Sequence, residues 1–232
     1  MIAARLRQID STGGGHERGI SLVELIVAIF VGGLVIAIVS SMYLGLSRTV
    51  QIGDTSSSST KAASLAMTEV STALRFATTN PTAGSQVPSP AFVTAANESI
   101  TIISYIDSSA TSPQPSQVTF SLDSSRRLVE TRYASHLVNG YWTFDTTALW
   151  SRILTGAVVA QSGVEPFLFS YLDSSNSVIS PGSGGLTASQ YATVAAVMVT
   201  VKLAIATTAG TSPVVLQNTV GLPNLGMTRT GQ

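Results

Sequence analysis

Glu24 is a carboxylate set inside an apolar run. Residues 25–39 are unbroken apolar residues and glycine, and only Ser21 and Glu24 interrupt the stretch that starts at Ile20. About 20 such residues suffice to cross a bilayer as a helix. A carboxylate within a spanning segment costs roughly 2.5–3.5 kcal/mol on insertion scales, so an intramembrane acid reads as functional by default. The alternative is a glutamate that snorkels to the membrane surface. The chemistry open to a carboxylate in an apolar phase is pairing with a cation, which cancels two buried charges that are each costly alone.

Other residues able to do chemistry are sparse. The chain of 232 residues has no cysteine, which excludes a disulfide framework, a cysteine metal site and thiol catalysis. Of two histidines, His16 precedes the apolar run, and His136, between Ser135 and Leu137, is expected exposed in a loop or at a strand end. No Gly-x-Ser-x-Gly elbow, phosphate loop or His-Glu-x-x-His is present. These absences lead to the expectation of a non-enzyme without cofactor or metal. Arg126, Arg127 and Arg132 form the one basic cluster beyond the run. A solvated strand face is the favoured reading, and contact with DNA phosphates or another anionic surface is the alternative. Tyr141, Trp142, Phe144 and Trp150 are expected to pack in a core, with a binding patch as the alternative.

Composition frames these residues. Charged residues are 10% of the chain and the formal net charge is zero, against roughly 25% charged in ordinary soluble proteins. About 60 Ser and Thr residues take their place. With no basic excess there is no electrostatic footprint for nucleic acid. A hydrophobic share of 44% excludes a disordered chain, and the length suits one domain with an appendage.

The apolar run must be positioned by what flanks it. Residues 1–19 form a polar leader with Arg5, Arg7 and Arg18, and the first charge after the run is Arg48. Basic residues counted alone keep the N-terminal side cytoplasmic and export the rest. A cleaved secretory signal has a shorter apolar region and a small-residue cut site after it, and Val39-Ser40-Ser41 fits that poorly. A plain signal anchor leaves Glu24 unexplained. The stretch Arg18-Gly19-Ile20-Ser21-Leu22-Val23-Glu24-Leu25 resembles the processing site of type IV prepilins and type II secretion pseudopilins. The resemblance implies that a prepilin peptidase cuts after Gly19 and methylates Ile20 as the new first residue, with Glu24 fifth. It also implies pairing of Glu24 with an α-amine, in its own or a neighbouring subunit, that draws subunits into register.

After the run, residues 40–79 contain no proline, and Ala62, Leu65, Ala66, Met67, Val70, Ala73, Leu74 and Ala77 recur mostly at three- and four-residue steps. That spacing predicts an amphipathic helix stopped by Asn80-Pro81. Residues 20–79 are expected as one long helix, with a kink or break near 53–59, where serines compete for backbone hydrogen bonds. Strands are expected at 100–106, 117–122, 128–133, 141–144, 166–172, 194–206 and 214–220. Asp-Ser-Ser occurs at 107–109, 123–125 and 173–175, each after an apolar stretch. An Asx-type turn explains it; a calcium loop would want more acids and a terminal glutamate.

Residues 152–173 resemble the middle of PilW-like or J-type minor pilins, and 197–206 with 214–222 fit the closing strands of that group. Ile20 replaces the commoner phenylalanine or methionine, the helix proline after the membrane core is absent, and so is the C-terminal cysteine pair of many major pilins. The resemblance thus implies a minor subunit. The expected fold is α+β and pilin-like: a leader at 1–19, a long N-terminal helix at 20–79 with its transmembrane part at 20–39, and a mainly antiparallel β head at 80–232. The implied function is a minor pilin or pseudopilin precursor. Its implied partners are prepilin peptidase, other pilins or pseudopilins, an inner-membrane assembly platform and membrane lipid. The implied location is the cytoplasmic membrane with an exported C-terminal part, then a cell-surface filament. Rival readings are a tip adhesin or DNA-binding module on that scaffold, or an unrelated membrane-anchored exported binding protein.

Overall fold

Helix α1 spans Leu22–Arg75 without interruption. The computed structural model describes residues 20–106, 113–161, 166–204 and 213–225, so the expected leader and the Asp-Ser-Ser at 107–109 lie outside the described residues. The chain divides into two compact units, Met1–Val50 and Gln51–Gln232. Within the first unit, α1 is long and apolar enough to cross a membrane and buries none of that surface.

The break expected near 53–59 is absent. The hydroxyls that could have opened the helix turn back onto its own carbonyls: Thr55 Oγ1 donates to Gln51 O at 2.8 Å, Ser58 Oγ to Thr55 O at 3.0 Å and Thr60 Oγ1 to Ser56 O at 2.8 Å. Such bonds leave the backbone ladder intact. The helix ends four residues earlier than expected, at Arg75. The next residues join the sheet instead: Thr78 N donates to Ile103 O and Tyr105 N to Phe76 O, and Ala77 bridges Ser104.

In the second unit the rest of α1 buries Ala63, Ala66, Met67, Val70, Ala73 and Leu74; five of these belong to the expected periodic stripe, but Leu65 is exposed and Ala63 is buried in place of Ala62. It packs with two antiparallel sheets around one apolar core. The first holds β1 (Phe92–Ala95), β2 (Ser99–Ser104), β3 (Ser116–Leu122), β4 (Arg127–Val138) and β5 (Tyr141–Ala157) in sequence order. The second holds β6 (Phe169–Leu172), β7 (Val178–Ile179), β8 (Ala196–Leu203) and β9 (Val214–Gly221) in the order β7-β6-β8-β9, with a one-turn helix α2 (Ala188–Tyr191) before β8. Val158 bridges Leu203 where the sheets meet. The fold is thus α+β, a long N-terminal apolar helix with antiparallel sheets.

Register decides which side chains share a face, since opposed residues point the same way. One row across the first sheet is Ile100, Phe120, Glu130 and Arg152, apolar in the middle and charged toward the β5 edge. The opposite face carries Thr94, Thr101, Thr119, Thr131 and Ser151 in line across all five strands. Two adjacent pairs in that row are hydrogen bonded, Thr101 with Thr119 at 2.9 Å and Thr131 with Ser151 at 3.1 Å.

Both described Asp-Ser-Ser tripeptides are Asx turns. Asp123 Oδ1 accepts from Ser125 N and Arg127 N, and Asp173 Oδ1 accepts from Ser175 N and Ser177 N. Each turn closes on a residue in the left-handed region, Arg126 at φ 58° and Asn176 at φ 61°, the three-residue hairpin loop with a one-residue bulge. Between β4 and β5, Asn139 and Gly140 both have positive φ, 51° and 82°, the two-residue turn whose twist suits a hairpin. That hairpin is much longer than the expected strands at 128–133 and 141–144. The short elements β1, β7 and α2 were not expected at all.

Candidate functional site

Glu24 lies in the first turn of α1, where the helix dipole favours an anion. Leu25 N donates to Ser21 O at 3.0 Å, so the helical ladder already begins at Ser21. Every large apolar side chain from Ile20 to Leu46 is exposed, Ile20 at 72% and Phe30 at 71%. Among the described residues no cation pairs with Glu24. Ile20 and Glu24 stand four residues apart, just over one turn, a spacing at which helical groups can meet. Gly19 lies outside the described residues. The arrangement offers an acid, unpaired among the described residues, in an apolar helix surface that none of those residues covers.

The three arginines do not form one basic patch. Arg126 Nη2 meets Glu98 Oε1 at 2.6 Å and its Nε donates to Val158 O at 3.0 Å. Arg127 pairs with Asp123 at 2.8 Å. Hydrogen bonds from the Arg127 backbone and side chain hold the Asp123 carboxyl below the usual carboxylate range. Arg132 pairs with Glu130 at 2.8 Å, and its side chain is only 15% exposed. The expected solvated face therefore does not hold for Arg132. It belongs to a cluster at the polar end of the sheet row, a grouping that sequence reading missed.

In that cluster Glu130 is fully buried and accepts from Arg132 Nε and Arg152 Nε, each at 2.8 Å. Arg152 Nη2 also reaches Glu69 of α1 at 2.9 Å. Both guanidiniums lie over the Trp150 ring, 4.8 and 5.4 Å from its centroid. Burial works against the charge on Arg152, but the hydrogen bonds and fields of Glu130 and Glu69 outweigh it and hold the proton more firmly than usual. Charge is balanced, two acids against two arginines, and every member has a partner, so the cluster joins helix to sheet and offers no free group for chemistry.

The aromatic expectation needs correction as well. None of Tyr141, Trp142, Phe144 and Trp150 is buried, because β5 edges the sheet and the hairpin tip runs past β3. The aromatic core is Phe92, Phe120, Phe169 and Tyr171. Tyr171 Oη donates to Ala96 O at 2.8 Å, and burial pushes its pKa well up. His136 is exposed in β4, as expected, with Nε2 2.9 Å from Asp145 Oδ1. Among the described residues no group of three or more His, Asp or Glu could hold a metal ion.

The comparisons meet the chain at its N-terminal segment. Residues 15–40 match the family model described as the prokaryotic N-terminal methylation motif. No curated protein matches the chain. The matched segment contains Gly19, Ile20 and Glu24 and the start of the uncovered helix. That motif and that helix anchor the N-terminus in a membrane. The N-terminal segment thus carries a type IV pilin-like prepilin signal, which supports the likeness of this segment to type IV pilins and pseudopilins.

Proposed function

We propose that the chain is the precursor of a minor type IV pilin or type II secretion pseudopilin, a structural subunit of a filament. Prepilin peptidase cuts between Gly19 and Ile20 and methylates the new amine. Residues 20–39 hold the subunit in the cytoplasmic membrane with residues 80–232 exported. An assembly platform in that membrane then passes it into a filament with other pilins. Glu24 pairs there with an N-terminal amine in the apolar phase, where two opposite charges relieve each other's cost.

The observation that carries this reading is a coincidence in one segment. The methylation motif at 15–40 overlaps the part of α1 whose large apolar side chains, Leu22 to Leu46, are all exposed, with an acid in its first turn that has no partner among the described residues. A membrane covers such a surface before assembly, and neighbouring helices cover it after. The DNA-binding alternative finds no support in Arg126, Arg127 and Arg132, each of which already has a carboxylate.

The test compares wild type with Glu24→Ala in cells that make the filament. Membrane level and cleavage should be unchanged, while the amount in sheared filaments should drop about tenfold or more, the ratio that ~1.4 kcal/mol of lost pairing gives. Equal incorporation of the variant would refute the pairing role.

A further inference from the structure

An exposed sheet edge is a template for another chain, and natural sheets blunt it with bulges, inward charges, prolines, short strands or a covering segment. The two sheets present four edges. At β5 the register against β4 shifts at three places, Arg152 points inward, and Asn80 Nδ2 covers Trp142 O at 3.0 Å. At β1 the Ala95 carbonyl is taken by Leu186 N at 2.7 Å. The β7 edge is two residues long.

Among the described residues, edge β9 has none of these devices. Its eight residues, Val-Val-Leu-Gln-Asn-Thr-Val-Gly, include no charge and no proline, and its register against β8 is unbroken from end to end. Beside it Met67, Thr68, Ser71, Thr72 and Arg75 of α1 line a groove with Asn218 of β9. The groove is tied at two points: Asn218 Nδ2 donates to Ser71 Oγ and Asn224 Nδ2 to Arg75 O, both at 3.2 Å. Among the described residues no carboxylate pairs with the Arg75 guanidinium.

We propose that the outer edge of β9 takes an extended strand of another filament subunit, and that a carboxylate on that strand pairs with Arg75. The inference rests on the filament role above. Strand addition draws affinity from the backbone ladder and specificity from pockets for alternate side chains. Here the backbone groups belong to residues 214–221, and the groove supplies hydroxyls and one cation. The cation selects an acidic strand over a neutral one.

Amide hydrogen exchange tests this on the full chain, in detergent and in purified filaments. In detergent the β9 amides that face away from β8 should exchange fast, while those paired with β8 stay slow. In filaments the fast set should slow by about 100-fold or more, as backbone pairing does. Arg75→Glu should return it toward the detergent rate, with Arg75→Gln intermediate. Persisting slow exchange of the β8-paired amides confirms that each variant is folded. Unchanged fast exchange in wild-type filaments overturns edge pairing. Slowing that both variants retain overturns the acidic strand as occupant. Failure of the wild-type chain to enter any filament overturns the filament role, and this inference with it.

Discussion

Glu130 shows how far charge counted along the chain can mislead. Three nearby arginines read as a basic cluster, yet Arg126 and Arg132 each face an acid of the folded sheet. Glu98 lies 28 residues before Arg126; Glu130 lies two residues before Arg132 on the same face of β4 and meets Arg152 through strand register. Sequence spacing does not give the pairs Arg126–Glu98 and Arg152–Glu130, whereas the i,i+2 pair Glu130–Arg132 follows from the strand period, and the Asx turn at Asp123 is local and was legible. Glu130→Gln should destabilise the head by about 3 kcal/mol, the low end for breaking a buried ion pair, because Arg152 is partly exposed and rehydrates. Thermal melting of the detergent-solubilised chain checks it, and a loss within the error of wild type would make the cluster dispensable. Asp123 has a folded pKa below its unfolded value of about 3.9, so its ionised contribution is full above that pH and lost as pH falls through the folded value. The melting gap between wild type and Asp123→Asn should therefore hold steady from neutral pH to about 5 and close below about 4. A gap that widened on acidification would reverse the sign assigned to Asp123.

Elements were legible where period and burial agree. Most of the α1 stripe, β3 and β9 follow from apolar spacing because each buries one face, while β2 and β8 follow from apolar runs, since both of their faces are buried in part. Strand β5 was cut short in the sequence reading because residues 141–153 bury no apolar side chain. Their pairing is set by the hairpin turn and the β4 ladder, not by alternation. The helix through 53–59 was misread for a different reason: serine and threonine disfavour helix on average, but here they bond back within it. Gly185 marks a constraint that composition cannot show. It has φ +95°, and an added Cβ would come 2.7 Å from the Ala95 carbonyl oxygen that Leu186 N also uses. Gly185→Ala should cost about 1–3 kcal/mol through strain and loss of that approach. Faster exchange of the Leu186 amide should report it, and an unchanged amide would show that the loop adapts freely.

At the scale of the whole molecule, the zero net charge conceals a division of labour. The apolar stretch after Ile20, whose one charge is Glu24, is a membrane-anchoring surface left exposed among the described residues. The remainder is a Ser/Thr-rich head whose few charges are mostly spent on internal pairs. The motif at 15–40 and the helix were legible because they depend on residues close in sequence. The cross-strand charge cluster and the unguarded β9 edge depend on which strands become neighbours, and only the fold supplies that. The filament reading turns on one bond, between Gly19 and Ile20. N-terminal sequencing with intact mass of the protein, taken from a cell that makes prepilin peptidase, tests it most directly. The expected product begins at Ile20 and carries one added methyl group on its amine. A chain that retains Met1, or one cut near Ser41, would contradict it.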